Sequence, residues 1–576
     1  MLCLPRKRSV AAALCAFGLL VLASCSVIVQ GDRCDTDADC AGRGAGAVCR
    51  SGACIATTAL QNEAGAGGDC TTNAECVTRL GDEFAVCQKT TMSCTKLLSP
   101  DCTKVYGDYK NDRAIYIGTL FKQGSTAGDL GASPDAIAAI ELAFDDFKNA
   151  RGGLPDPAGG TARPLVAVEC NQTQDPVRAA KHLSEDVKVP AIIGASTTYV
   201  TIQAATAQTI NAGTFLISPY ASSPGLADLD DKGLVWRTYP SDGLQAQAVP
   251  KLVDEIVASP GFTTPRNNAG RTTRRVAIVY KDDTYGQGLR DIILGKLSFN
   301  GKSAATNRDD GNLKAYSYVN TDDPANAAFD FTTVTSKVIG DGPFDIVMIL
   351  GTSEAVQAFN GIESSWQDPV LPYYIMPDGI ASTPSLAISI RELTRDNDPA
   401  VAATNSKALR RRIRGTIVNV FSGPLYDAFS LKFSNGNALN GSNAYDAAYT
   451  VAYSLYGVGS EPLTGANMAK SMAKLSTPGA PSFDIGTNGV AQVLQAVNAG
   501  GVTLNGTAGK LDFDLATGDV KATGASVWCL GTDSKGDAVL VPNTGETYTA
   551  ATPTTPEKIT GTFPDPPPPS DPCKFN

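Results

Sequence analysis

Short apolar runs that stop at polar or turn residues recur along the middle of the chain. Each run is continuous rather than alternating in hydrophobicity, which is typical of a parallel strand buried on both faces. Parallel strands bring their carboxyl ends to one edge of a sheet, so the polar loops that follow them are where we expect a ligand. The six runs begin at Ala114, Ala191, Thr214, Val276, Phe344 and Tyr373, and read AIYIGTLF, AIIGASTT, TFLISPYASS, VAIVYKDDTYGQG, FDIVMILGTS and YYIMPDG.

Amphipathic helices are predicted between these strands. The segment from Ser133 begins Ser-Pro-Asp, which supplies an N-cap, a first-turn proline and an N-terminal acid. Ile137, Ile140, Phe144 and Phe147 then fall on one helical face. Strand, helix and parallel strand in succession indicate a doubly wound α/β fold. The succession occurs twice along the chain, which predicts two lobes with a cleft between them.

The N-terminus has the three-part layout of an export signal. Three basic residues at positions 6–8 precede an apolar stretch at 10–22, and small residues follow. The stretch is short for a membrane span. Leu22–Cys25 resembles the lipobox of bacterial lipoproteins, which implies a signal peptide at 1–24 and lipid attached to Cys25. A plain signal peptide cleaved near Ala23 is the alternative.

The charge balance argues against nucleic acid as a partner. The chain has 58 acidic and 48 basic residues, a formal net charge of −10, so electrostatic adhesion to anionic lipid is not expected either. The lipid alone would anchor the protein. Ser26 follows the lipidated cysteine, and by resemblance to bacterial lipoproteins this favours the outer membrane or the periplasmic face over retention at the inner membrane.

Eight cysteines near the N-terminus form an imperfect repeat of four and four. Such short segments cannot bury a sufficient core, so in an exported chain two disulfides per repeat are expected, with the connectivity open. Metal binding is less favoured because no C-x2-C pair occurs and the only histidine, His182, lies elsewhere. We interpret residues 25–112 as a disulfide-rich stalk, with partner binding as the alternative. The cysteines are Cys34, Cys40, Cys49 and Cys54, then Cys70, Cys76, Cys87 and Cys94.

The chain also has four further cysteines and a proline-rich C-terminal tail. Cys102, Cys170, Cys529 and Cys573 are even in number and allow two more disulfides, whose pairing the sequence leaves open. The tail at 551–576 contains a run of four prolines, which predicts an extended segment rather than a helix or a central strand.

The strand order and several loops resemble one family. The stretches IGASTT, SPYASSP, VAIVYKDDTYGQGL, YIMPDG and NAYDAAYTVAYSL are similar, in order and spacing, to the leucine/isoleucine/valine-binding branch of the type I periplasmic binding proteins. The resemblance implies the type I periplasmic-binding-protein fold, with two α/β lobes joined by three hinge crossings. Lobe 1 is then expected at 113–238 and 381–508, and lobe 2 at 239–380 and 509–550.

The resemblance also implies a ligand site. A ligand carboxylate would be held by hydroxyls and backbone N–H groups of lobe 1, an ammonium by a carboxylate of lobe 2, and the ligand would be covered by a tyrosine. Thr352 stands where the family has a second aromatic residue, which implies a smaller and more polar wall. The implied residues are Thr198, Tyr220, Ala221, Ser222, Tyr285, Thr352 and Asp378.

Each of these residues also has a purely structural interpretation. Thr198 and Ser222 are typical helix-capping residues, and Asp378 in Pro-Asp-Gly is typical of a turn. Tyr285 could pack within its own lobe. Arg410–Arg412 is either a docking patch or a solvated face before a strand.

The function that the sequence favours is capture of an amino acid or amino-acid-like molecule by an exported lipoprotein, for uptake through an ABC permease. The alternative is an envelope sensor or regulatory lipoprotein that uses the same fold to bind a protein. An enzyme is not expected, since His182 lies in a stretch typical of a surface helix and adjacent acids such as Asp282 and Asp283 point apart. No cofactor or metal is expected.

Overall fold

The computed structural model describes most of the chain beyond residue 69. The described residues are 48–50, 53–55, 70–123, 133–157, 159–381, 384–418, 423–522, 524–542, 544, 547–549 and 558–560. The predicted signal peptide, Cys25 and most of the proline-rich tail lie outside them. The chain divides into two compact units, residues 1–95 and 96–576.

The first unit has a core made largely of cysteine. The helix Asn73–Leu80 begins with a capping box between Thr72 and Glu75, and strands Ala85–Gln88 and Ser93–Lys96 pair with each other. Disulfides Cys70–Cys87 and Cys76–Cys94 link first to third and second to fourth cysteine, so the disulfides predicted for this block are confirmed. In the earlier block, Val48–Arg50 and Ala53–Ile55 form a hairpin that places Cys49 opposite Cys54.

A six-stranded sheet forms the centre of lobe 1. Five strands are parallel and the edge strand Cys102–Tyr106 is antiparallel. This edge strand lies within the predicted stalk, so lobe 1 begins earlier than the expected residue 113. Cys102 is bonded to Cys170 on the neighbouring strand, and Cys529 is also disulfide-bonded. In spatial order the strands are Val235–Arg237, Phe215–Ser218, Ala191–Gly194, Ile115–Phe121, Leu165–Asn171 and Cys102–Tyr106.

A larger mixed sheet forms the centre of lobe 2. Its first five strands are parallel and the remaining ones antiparallel. Ile413–Ile417 pairs with Tyr373–Pro377, so the segment leading to it belongs to lobe 2 and not to the lobe 1 range 381–508. The order is Leu313–Val319, Val276–Asp282, Ile346–Leu350, Tyr373–Pro377, Ile413–Ile417, Gly524–Thr532, Thr547–Thr549 and Lys558–Thr560, with Ala538–Val541 paired to Gly524–Thr532.

Helices cover both sheets. The six predicted strands and the helix from Ser133 are all present, and the described helices include none that is both long and apolar enough to cross a membrane. Helices of six or more residues in the second unit are Ser133–Arg151, Pro176–Lys181, Thr198–Ala204, Gly243–Ala258, Pro260–Asn268, Thr284–Lys296, Ala304–Asp309, Thr332–Asp341, Val356–Ser365, Pro384–Leu393, Pro399–Arg410, Pro424–Lys432, Ala438–Gly457, Gly465–Ser471 and Val490–Ala499.

The chain crosses between the two sheets three times. The first crossing follows Val235–Arg237, the second follows Ile413–Ile417, and the third precedes Gly524–Thr532. A small sheet of Ser482–Asp484, Thr503–Asn505 and Lys510–Leu511 lies before the third crossing. The predicted fold class, two doubly wound α/β lobes joined by three crossings, is confirmed.

The longest helix, Ala438–Gly457, is buried along almost its whole length in lobe 1. It packs against Ser133–Arg151, where the buried Asp146 accepts hydrogen bonds from the hydroxyls of Tyr445 (2.5 Å) and Tyr449 (2.9 Å). A carboxylate enclosed by such donors stays satisfied without solvent. These hydrogen bonds therefore join the two helices inside the core of lobe 1.

His182 does not lie on a surface helix as the sequence predicted. It is buried, with Nε2 3.0 Å from the carbonyl oxygen of Leu97 and Nδ1 3.0 Å from a carboxylate oxygen of Asp186. Both ring nitrogens are thus engaged in structural contacts within lobe 1.

Two residues of the predicted arginine patch are internal. The guanidinium of Arg412 donates to Glu363 and to the carbonyl oxygen of Pro372, and Arg410 donates to the carbonyl oxygen of Leu530. Both side chains are buried. They therefore brace lobe 2, and form neither the docking patch nor the solvated face that the sequence suggested.

Candidate functional site

Asp378 is buried at the carboxyl end of a lobe 2 strand. It directly follows Tyr373–Pro377, the position at which parallel sheets present residues to a crevice. Its Oδ1 accepts hydrogen bonds from the Gln245 side-chain amide (2.9 Å) and the Tyr285 hydroxyl (3.5 Å), and its Oδ2 accepts one from the Tyr239 hydroxyl. Burial raises the pKa of Asp378, and these donors offset part of that rise.

Asp242 provides a second carboxylate beside Asp378. It is fully buried and precedes the helix Gly243–Ala258, yet its side chain does not cap that helix. The Gln245 amide donates to Oδ1 of both carboxylates and so joins them. Burial, reinforced by the negative charge of Asp378, raises the pKa of Asp242 to about 8.

Thr198 organises the lobe 1 side of the cleft. Its hydroxyl oxygen accepts the backbone N–H groups of Ser222 (3.1 Å) and Ser223 (3.2 Å). The cap of the helix Thr198–Ala204 is instead Thr197, whose side chain accepts the N–H of Val200. Thr198 thus fixes the loop after the strand Phe215–Ser218.

The first half of that loop is fixed by Ser218. Its hydroxyl oxygen accepts the N–H groups of Tyr220 (3.2 Å) and Ala221 (2.9 Å). The Tyr220 hydroxyl donates to the carbonyl oxygen of Asn440, at the start of the long helix of lobe 1. Four successive N–H groups, from residue 220 to residue 223, therefore all donate to side-chain hydroxyls of lobe 1.

Tyr285 and Thr352 meet beside the residue after Asp378. A Cβ atom added to Gly379 would lie 2.8 Å from the Tyr285 hydroxyl and 3.2 Å from Cγ2 of Thr352. The Thr352 hydroxyl donates to Glu354, so it is the methyl group of Thr352 that lies against Gly379. Burial and the charges of Asp378 and Asp242 raise the pKa of Tyr285 well above its usual value, which keeps the phenol protonated.

The two lobes contact each other at this loop. The Ser223 hydroxyl of lobe 1 donates to the carbonyl oxygen of Thr284 in lobe 2 (2.8 Å). The backbone N–H of Asp242 donates to the carbonyl oxygen of Ser222 (2.8 Å). Asp242 consequently sits between the lobe 1 loop and Asp378.

Buried polar contacts hold the first and third crossings in place. Arg237 is fully buried and donates through two nitrogens to the Asp519 carboxylate, at 2.7 Å each. Asp446, on the long helix, accepts from the N–H (2.8 Å) and hydroxyl (2.7 Å) of Thr507 beside the third crossing. Burial raises the pKa of Asp446 to about 7.

The structure brings the predicted residues together in two groups. Tyr285, Thr352 and Asp378 cluster in lobe 2, whereas the loop 220–222 and Thr198 cluster in lobe 1. Sequence reasoning missed the residues that connect the groups, Tyr239, Asp242 and Gln245. They lie in and just after the first crossing, where Asp242 has the sequence signature of an ordinary N-cap.

Among the described residues, a single group of three potential metal ligands is close enough to share an ion. It consists of Cys70, Cys76 and Cys87, and all three are disulfide-bonded. Their sulfurs are therefore not available as thiolate ligands.

Residues 136–256 match the sequence pattern of the receptor family ligand binding region. No curated protein matches the chain. Solved structures that resemble it include LivJ from Streptococcus pneumoniae, a branched-chain amino acid transporter substrate-binding protein in complex with isoleucine (17% identity, 74% of this chain and 99% of that chain, TM-score 0.47). The leucine-binding protein LivK from Thermotoga maritima has 15% identity (74% and 97%, TM-score 0.49). A solute-binding protein from R. palustris in complex with benzoate has 13% (74% and 96%, TM-score 0.45).

Proposed function

We propose that this protein is an extracytoplasmic solute-binding lipoprotein that captures an amino acid or amino-acid-like molecule by closure of two lobes. The observation that carries the proposal is Asp378, a buried carboxylate at a strand end of lobe 2, facing the junction with lobe 1. The side chains of Tyr239, Gln245 and Tyr285 hold this carboxylate in a fixed orientation. A ligand ammonium would add a charge-assisted hydrogen bond to it.

The remaining residues of the proposed site have complementary roles. Tyr285 donates to Asp378 and would cover the ligand from lobe 2, and the methyl group of Thr352 would form part of the wall. On the opposite side, Thr198, Tyr220, Ala221 and Ser222 would line the lobe 1 face.

Closure by hinge motion is supported by how the lobes are joined. Each lobe has its own hydrophobic core, and three crossings join the lobes. This arrangement allows the lobes to move relative to each other as rigid bodies. The contact between the Ser223 hydroxyl and Thr284 would form when the cleft closes.

Export and anchoring belong to the same proposal. The apolar stretch at 10–22, the residues Leu22–Cys25 and the disulfides near the N-terminus support an exported chain with lipid on Cys25. Delivery of the bound solute to an ABC permease is the role that we propose for the loaded protein. The proposed role is binding and not catalysis.

The test is a thermal-shift screen of the full chain against amino acids, their amides and related amines. A ligand at 100 times its dissociation constant should stabilise the second unit by roughly 2.7 kcal/mol. Asp378→Asn should abolish the shift, while Asp291→Asn, which removes an exposed acid from the helix Thr284–Lys296, should preserve it. A folded protein that no compound stabilises would contradict solute binding and favour the sensor or regulatory alternative.

A further inference from the structure

Gly288 belongs to the lobe 2 helix Thr284–Lys296, yet the atoms nearest to it belong to lobe 1. A Cβ atom added at this position would lie 3.4 Å from Cδ of Pro224 and 3.7 Å from Oγ of Ser223. Glycine weakens a helix relative to alanine, and Gly288 has no positive φ that would require it. The close approach of lobe 1 therefore gives the physical reason for a glycine here.

The two other glycines of the same helix have different surroundings. A Cβ atom on Gly286 would meet backbone atoms of Lys281, which belongs to lobe 2 itself. A Cβ atom on Gly295 would meet nothing within 4 Å. Of these three glycines, only Gly288 has lobe 1 atoms as its nearest neighbours, so the helix offers both a contact position and a free position for comparison.

The turn that meets Gly288 is held firmly within lobe 1. The N–H of Ser223 donates to the Thr198 hydroxyl (3.2 Å), and its carbonyl oxygen accepts from Arg237 (2.7 Å). Its hydroxyl crosses to lobe 2 and donates to the carbonyl oxygen of Thr284 (2.8 Å). Pro224 follows with a φ that its ring restricts. A turn fixed in this way has little freedom to move aside for a larger side chain on the helix.

Arg237 connects this turn to the hinge. It ends the strand Val235–Arg237, directly before the first crossing. Its guanidinium binds the carbonyl oxygen of Ser223 and also the carboxylate of Asp519, in the segment that leads to the third crossing. The turn is thus tied to both hinge segments, and it should move with lobe 1 as one body when the hinge bends.

We propose that Gly288 is the seat of lobe 1 in the closed cleft, and that the size of the side chain at position 288 sets the equilibrium between closed and open lobes. This inference rests on the proposed function and concerns the regulation of the same site. A methyl group at 288 fits, since 3.4 Å is close to an ordinary van der Waals distance. A longer side chain would meet Pro224 and favour the open lobes.

The test measures the distance between the lobes in the full chain without any ligand. Spin labels would be attached through azide-bearing residues at Thr206 of lobe 1 and Ala328 of lobe 2, which are both exposed. Pulsed electron resonance then gives the distribution of distances between the labels. In the wild-type protein we expect a population at the distance of the closed structure.

Three substitutions on the helix test the role of position 288. Gly288→Leu should lower the closed population by about tenfold, because overpacking of a tight contact is destabilising. Gly288→Ala should leave it nearly unchanged. Gly295→Leu is the matched control, since it adds the same side chain to the same helix where there is open space, and it should also leave the closed population nearly unchanged.

The inference would be overturned by an unchanged closed population in folded Gly288→Leu, by an equal loss in Gly295→Leu, or by a wild-type protein without a closed population. If Gly288→Leu does not fold, Ser223→Ala decides the matter. Loss of its hydrogen bond to Thr284 should lower the closed population by about threefold, and no change would overturn the inference. Because no ligand takes part, these outcomes leave the proposed solute binding to the thermal-shift screen.

Discussion

Arg237 carries a positive charge at a place that has no solvent exposure. It ends Val235–Arg237, the parallel strand at one edge of the lobe 1 sheet, and its charge is balanced by Asp519, whose side chain is 17% exposed. The two form a bidentate pair between the first crossing and the segment that leads into the third. Such a pair adds little over apolar packing, but breaking it by removing one partner is costly because the other charge remains buried.

Asp519→Ala should therefore destabilise the protein by about 3–5 kcal/mol, measured as the free energy of unfolding in urea. The matched control is Asp512→Ala, which removes the partner of Lys521 in the same segment, where the two side chains are 32% and 53% exposed. An exposed pair should cost less than about 1 kcal/mol. Equal effects of the two substitutions would mean that hydrogen bonds to the carbonyl oxygens of Ser223 and Ala221 are enough to satisfy Arg237.

Residues of the candidate site were predictable where they directly follow an apolar run that predicts a strand. Asp378 and Tyr285 follow apolar runs, and the structure places both at the lobe junction. Asp242 was not predictable because an acid before a helix is usually a cap. Its place beside Asp378 is set by the packing of the helix Gly243–Ala258 on the lobe 2 sheet, and the local sequence does not specify that packing.

The helix Thr284–Lys296 shows how a glycine can decide where an element packs. A Cβ atom on Gly286 would lie 2.2 Å from the carbonyl oxygen and 2.7 Å from the nitrogen of Lys281. The first turn of the helix therefore rests directly on the backbone of the preceding strand. A Cβ on Gly295 of the same helix would meet nothing within 4 Å.

The same substitution should thus have opposite effects at the two ends of this helix. Gly286→Ala should cost about 3 kcal/mol, because backbone atoms cannot move aside as a side chain can. Gly295→Ala should stabilise by about 0.5 kcal/mol, through the higher helix propensity of alanine. Urea denaturation of both variants checks this, and a neutral Gly286→Ala would contradict the close packing.

Elements were predicted from sequence with unequal success. All six apolar runs became strands of the two sheets, since continuous hydrophobicity reports burial on both faces. The antiparallel strand Cys102–Tyr106 was missed, because only its first residue is buried and its partner strand lies far along the chain. Ile413–Ile417 was foreseen as a strand but placed in the wrong lobe, since periodicity does not specify the sheet.

At the scale of the whole molecule, each of the two units is stabilised internally by a different kind of interaction. The described hydrophobic cluster of the first unit consists of Cys70, Cys76 and Cys87 with Ala85, so three of its four buried members are disulfide-bonded cysteines. The second unit has several hydrophobic clusters, among them one around each sheet. A core that small stabilises a fold only weakly without its disulfides.

Reduction of the disulfides should consequently unfold the first unit and leave the second unit folded. With a phosphine reductant, amides of residues 70–95 should exchange with deuterium as an unfolded chain does, while the central strands of both lobes stay protected. Cys102→Ala/Cys170→Ala is the matched control, because it removes the bond that ties an edge strand to lobe 1 and should leave 70–95 protected. Protection of 70–95 that survives complete reduction of Cys70–Cys87 and Cys76–Cys94 would show that the helix Asn73–Leu80 and its strands carry their own stability. In that case the first unit would be an autonomous domain, better suited to binding a partner than to serving as a stapled stalk.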